Sequence, residues 1–234
     1  MTSKVATRPD MRLVRNAEYD GQCTRCPRLV SFRQDIRRTY PAYFAAPVPA
    51  FGASDPDLLI VGLAPGLHGA NASGRPFTGD FAGILLYQTL FDFGWSNQPV
   101  SESADDALRL RRCRITNAVK CVPPQNKPTP QEIRTCNAFL KAELSALRPD
   151  IALLALGAVA HQAVLMGLGL RPRDFRFAHG AIHELPTQHV LFSSYHCSRY
   201  NTQTKRLTAA MFTTVVGTAA KLLSGSRRGL SRRP

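Results

Sequence analysis

An apolar run, Asp57-Leu58-Leu59-Ile60-Val61, ends directly in GLAPGLHGANASGRPFTGDFAG at residues 62 to 83, and this junction constrains the fold more than any other stretch. The run reads as a buried strand. The glycines at 62, 66, 69, 74, 79 and 83 permit backbone angles and close approaches that side chains forbid. Such a turn after a strand is expected to open a ligand pocket lined by backbone N–H groups. Its spacing is neither the G-x-G-x-x-G of a dinucleotide site nor a P-loop, which ends in Gly-Lys-Ser/Thr. Hydride and phosphoryl transfer therefore lose ground, and no nucleotide cofactor is expected.

Downstream, the run from Ala82 to Phe91 has helical apolar spacing and stops near Gly94. A second strand is expected from Cys113 to Val119, then a proline-rich loop and a helix opened by Thr129, Pro130 and Glu132 as a capping box. Ile151 to Leu156 reads as a buried strand followed by a helix to about Gly167. His189 to Ser193 reads as a further strand before a helix from about Thr204 to Leu223. The stretch Pro41 to Pro49 reads as a surface connection. Alternating strands and helices predict an α/β fold, a three-layer sandwich with a central, mostly parallel four-stranded sheet. Ligands bind such sheets at the carboxyl ends of the strands, where the loops after 61, 116 and 193 fall.

The chain has 234 residues and suits one domain, expected over residues 1–224, with a basic disordered tail at 225–234. Thirty Lys and Arg against 16 Asp and Glu give a net charge of +14, which points to a polyanion, nucleic acid first. No run is apolar enough to span a membrane. The N-terminus, MTSKVATRPDMRLVRN, lacks the apolar core of a secretion signal, so the six cysteines are expected in a reducing cytoplasm, near the nucleoid. Four of them form two pairs, Cys23-x2-Cys26 and Cys121-x14-Cys136, with Cys113 and Cys197 left over. Four thiolates suit zinc or a 4Fe-4S cluster, and the long second spacing favours the cluster, in a structural role.

Three stretches together resemble the iron–sulfur uracil-DNA glycosylases, and within them the broad-specificity family 5 enzymes: residues 62 to 83, ITNAVKCVPPQNKPTP at 115 to 130, and SSYHCSRYNTQTKRLT at 193 to 208. The cysteine spacing agrees, Leu63 stands where family 4 carries Glu, and the Gly79-Asp80 pair also favours family 5. The resemblance implies excision of uracil, and often of hypoxanthine or xanthine, from DNA, with no metal acting in the chemistry. A monomer is expected.

Excision needs a base out of the stack, a slot that reads its edge, and stabilisation of a cationic sugar and an anionic leaving base. Phe77 is expected to stack on the extruded base and Asn117 to pair with its N3–H and O4, with Gly62, Ala64 and Pro65 forming the rest of the base site. Asp80 is expected to orient or deprotonate water, or to hold negative charge near the oxocarbenium ion; helix N-capping is its alternative role. His196 is expected to donate to uracil O2. His68, Arg75, Ser198, Arg199, Tyr200 and Asn201 are the expected DNA contacts, with Arg199 or Tyr200 filling the gap left by the flipped base. Relatives commonly read His-Pro-Ser where this chain has His196-Cys197-Ser198, so this loop is expected to be less rigid. Lys120 reads as a phosphate contact or solvated charge rather than as a lyase nucleophile. The competing readings are a non-catalytic iron–sulfur protein that binds nucleic acid, and a small-molecule binding protein with structural zinc.

Overall fold

A computed structural model describes residues 20–230. The N-terminal stretch, where no secretion signal is expected, and the end of the basic tail, 231–234, lie outside the described residues. Four parallel strands form the centre of the sheet: β2 (Leu58–Gly62), β3 (Cys113–Asn117), β4 (Ala152–Leu156) and β6 (Val190–Ser194). Two short antiparallel strands, β1 (Phe51–Gly52) and β5 (Ile182–Glu184), lie at its edges, so the sheet has six strands in the order β1-β3-β2-β4-β6-β5 rather than the expected four. With two and three residues, these edges are too short to show a period of two.

Every residue of β2, β3 and β4 is buried, as parallel strands covered on both faces require. Alternation divides them between two cores. Leu58, Ile60, Ile115, Leu154 and Phe192 pack against Leu86 and Leu90 of α3 (Phe81–Asp92) and Phe212 and Val216 of α7 (Ala209–Leu230). Leu59, Val61, Leu153, Ala155 and Leu191 face Leu140 and Leu144 of α4 (Pro130–Ser145) and Ala163 and Val164 of α5 (Ala158–Gly167). The three layers follow from that pattern.

The capping box is present: Thr129 Oγ1 accepts from the Glu132 amide at 3.2 Å, and Glu132 Oε2 accepts from the Thr129 amide at 2.7 Å. Glu132 also holds Arg28 of α1 (Pro27–Thr39) through two bonds of 2.8 and 2.7 Å, joining the two helices that follow Cys26 and carry Cys136. Beyond the assigned end of β3, the amides of Ala118 and Val119 donate to the carbonyls of Gly62 and Leu63 at 2.9 Å, which continues the pairing towards Val119 as expected. The stretch Pro41 to Pro49 is more than a surface connection, because Ala45 and Val48 are buried. The last expected helix is divided into α6 (Arg199–Gln203) and α7, with Lys205 between them at φ +56°. α7 continues through 225–230, where a disordered tail was expected.

Candidate active site

A cavity of about 520 Å³ lies at the carboxyl ends of β2, β3 and β6, within the range that takes a small ligand. Ala64, Phe77, Asp80, Asn117, His196, Ser198, Arg199 and Tyr200 line it, so three separate loops deliver the expected residues to one place. Leu63, Gly66, Phe81, Ala82 and Asn126 complete the wall. Asn126 was not anticipated, although it lies in the quoted loop. Its φ of +56° follows a φ of +56° at Gln125, a reversal that asparagine tolerates better than most residues.

Asn117 ends β3 with 3% exposure, and its Oδ1 has no hydrogen-bond partner. An unsatisfied buried acceptor costs about 1–3 kcal/mol, which a ligand donor would recover. Gly62 makes room for it: a Cβ there would stand 2.4 Å from Asn117 Oδ1 and 2.7 Å from Phe77 Cζ. Gly62→Ala is therefore expected to displace the amide or the ring and to lower kcat/KM on uracil-containing DNA by about 100-fold, the scale of a 1 Å misplacement. Steady-state base release, with thermal melting to show an intact fold, checks this. Phe77 itself is held at φ +59°, a strained angle for a non-glycine residue that costs about 1–3 kcal/mol. The Tyr87 hydroxyl supports this turn by donating to the Pro76 carbonyl at 2.7 Å. The Phe77 and His196 rings face each other at 5.9 Å and 25°.

Asp80 occupies the N-cap position of α3, but its side chain makes no cap hydrogen bond, so the capping role is not taken. The carboxylate turns back into the glycine-rich loop, where the amide of Ala70, at the start of the short helix α2 (Ala70–Ser73), donates to Oδ2 at 3.0 Å. A Cβ at Gly66 or Gly69 would stand 2.2 or 2.0 Å from Asp80 Oδ1, so these glycines form its cradle. Burial raises the Asp80 pKa above the ordinary aspartate value, and hydrogen bonds from the Ala70 and Gly66 backbone oppose the shift. Burial pushes His196 down to about 4, which leaves a neutral imidazole at pH 7.

The loop after β6 is tied down despite the missing proline. Asn201 Nδ2 donates to the His196 carbonyl at 2.8 Å, Ser198 Oγ accepts from the Asn201 amide at 3.4 Å, and Cys197 is fully buried in the core. Asn201 thus positions His196 through its backbone. Tyr200 is 70% exposed at the rim, whereas the Arg199 guanidinium lies 5.0 Å over the Phe81 ring. His68 is exposed within the glycine-rich loop, with Nδ1 2.9 Å from the Tyr43 hydroxyl. Gly62 and Pro65 lie behind the wall rather than in it.

Two expectations about basic residues are corrected. Arg75 is 5% exposed and pairs with Asp106 Oδ2 at 2.6 Å, with further bonds to Ser101 and Thr78 of 2.7 and 2.8 Å, so it braces the Phe77 turn instead of meeting phosphate. Lys120 is 1% exposed and pairs with Glu143 Oε1 at 2.5 Å, with a further bond to Thr116, which leaves it neither solvated nor available to DNA.

Cys23, Cys26, Cys121 and Cys136 line a single pocket between α1 and the start of α4. Among the described residues no group of three or more His, Cys, Asp or Glu converges as the ligands of one metal ion do. Burial raises the thiol pKa of Cys26 and Cys136 and pushes Cys121 up to about 12. Among the described residues no helix is long and apolar enough to cross a membrane.

The profile of the uracil DNA glycosylase superfamily matches residues 49–219, which span the whole sheet and the cavity. The chain is 46% identical over 205 residues to the type-5 uracil-DNA glycosylase of Thermus thermophilus, covering 86% of this chain and 93% of that protein. It is 43% identical over 202 residues to the type-5 enzyme of Pyrobaculum aerophilum, covering 85% and 88%. A type-4 uracil-DNA glycosylase of Archaeoglobus fulgidus is 32% identical over 152 residues, covering 64% and 66%. The chain belongs to the uracil-DNA glycosylase superfamily, in its type-5 family.

Proposed function

We propose that the chain is a monofunctional DNA glycosylase that hydrolyses the N-glycosidic bond of uracil in DNA, leaves an abasic site, and also takes other deaminated bases such as hypoxanthine and xanthine. The observation that carries this reading is the buried, unpartnered Asn117 Oδ1 beside Phe77 in a cavity with room for an extruded base. Uracil extruded from the duplex stacks on Phe77, its N3–H donates to Asn117 Oδ1, and the Asn117 amide donates to O4. As the bond breaks, negative charge grows on the base, and the neutral His196 imidazole donates to O2. Positive charge grows on the sugar, which the Asp80 carboxylate faces while orienting the attacking water. The ion-paired Lys120 offers no amine for a lyase step, which supports hydrolysis alone.

Tyr200 is the side chain free to enter the gap left by the flipped base, and His68, Ser198 and Arg199 are the accompanying DNA contacts. The proposal extends to a single domain acting as a monomer, without a nucleotide cofactor, in the cytoplasm at the nucleoid. The four cysteines fit a 4Fe-4S cluster: four soft donors, Cys23, Cys26, Cys121 and Cys136, line one pocket, and thiolates are the ligands such a cluster takes. The cluster would tie Cys23 and Cys26 to Cys121, four residues beyond Asn117.

A base-release panel on duplexes carrying uracil, hypoxanthine or xanthine tests the activity. The expected result is free base with a strand that breaks only after alkali. DNA binding without base release would leave a non-catalytic nucleic-acid-binding protein as the better reading.

A further inference from the structure

The cysteine pocket contains a buried cation that the chemistry at the DNA surface does not use. Arg33 of α1 is 5% exposed and lines the same pocket as Cys23, Cys26, Cys121 and Cys136. Its Nη2 donates to the Cys23 carbonyl at 2.8 Å, which fixes the guanidinium against the first cysteine pair. Its Nε is buried without a hydrogen-bond partner. None of the ion pairs among the described residues includes Arg33. A buried charge without a counter-charge costs several kcal/mol, so an anion in this pocket is what such an arginine requires.

We propose that Arg33 is the counter-charge of the cysteine-bound cluster, with its free Nε–H directed to the sulfur shell. The inference rests on the cluster reading above. A cluster held by four thiolates is a net anion, and hydrogen bonds to its sulfurs help to set its reduction potential. Arg33 would therefore favour both retention of the cluster and its reduced form. Lysine would keep the charge but lose the planar fork and the Nε–H.

The test compares the parent, Arg33→Lys and Arg33→Met proteins for iron and acid-labile sulfide content, the rate at which the brown colour bleaches under chelator and air, and the cluster midpoint potential. Circular dichroism monitors the fold. Arg33→Met is expected to bleach at least about tenfold faster, the scale of one lost charge-assisted hydrogen bond, and to have a more negative potential, with Arg33→Lys between it and the parent. Unchanged bleaching and potential in Arg33→Met would overturn the proposal. If the methionine variant does not fold, the lysine variant decides, and a parent-like potential there contradicts the role of Nε–H. A parent with zinc and no sulfide would remove the cluster reading itself, a result distinct from a cluster that is indifferent to Arg33.

Discussion

Asp80→Ala is expected to lower turnover on a uracil-containing duplex by about 100- to 10,000-fold while leaving affinity for that duplex unchanged. The carboxylate is set into the loop by backbone donors and, among the described residues, enters no ion pair, so its removal is expected to alter the field at the sugar more than the DNA-binding surface. Single-turnover base release with saturating enzyme measures the first quantity, and fluorescence anisotropy measures the second. Equal losses in both would remove Asp80 from the mechanism. Gly69→Ala tests the same group without touching a titratable side chain, because its Cβ would occupy space 2.0 Å from Asp80 Oδ1. Its effect should approach that of Asp80→Ala, and the double variant should be no worse than either, since the two changes disable one element.

His196→Ala should cost about 100- to 1,000-fold in single-turnover rate, the range for loss of one donor to a developing anion. The stacked Phe77 ring would lose a neighbour as well, so uracil binding is measured alongside by product inhibition. A rate loss no larger than the loss in uracil affinity would mean that His196 only builds the slot. The two groups also differ in their pH signatures. Burial pushes His196 to about 4, so it stays neutral and competent as pH falls from 8 towards 5. Burial moves Asp80 the opposite way, above its ordinary value, and in the proposed mechanism its ionised form acts. The acid limb of kcat/KM should therefore belong to Asp80. It should persist in His196→Gln and vanish in Asp80→Ala. An acid limb that disappears with His196 instead would show that the imidazole titrates in the working range.

The parts of this fold that could be read from the chain are those whose chemistry is local. Thr129, Pro130 and Glu132 lie within one helical turn, and their capping box is present as expected. β2 and β4 are short apolar runs bounded by loops, and all four parallel strands begin and end within a residue or two of their expected limits. Asp80, Asn117 and His196 stand out because glycine-rich and polar loops directly follow such runs, and the sheet then brings those loops together. What could not be read depends on partners distant in sequence. Arg75 finds Asp106 across 31 residues and Lys120 finds Glu143 across 23, and without those partners a basic residue is assigned to solvent. Arg33 is hidden for the same reason, since its environment is assembled from two cysteines that precede α1, one in the loop after β3 and one in α4. The division of the last helix at Lys205 is a backbone reversal by a residue that ordinarily favours helices, so composition carries no sign of it.

The most direct test of the base slot is a crystal structure of the protein with abasic DNA and free uracil. The account predicts uracil stacked on Phe77, with its N3–H within hydrogen-bond distance of Asn117 Oδ1 and its O2 facing His196. Uracil bound elsewhere, or Asn117 Oδ1 still without a partner while the base occupies the cavity, would contradict it.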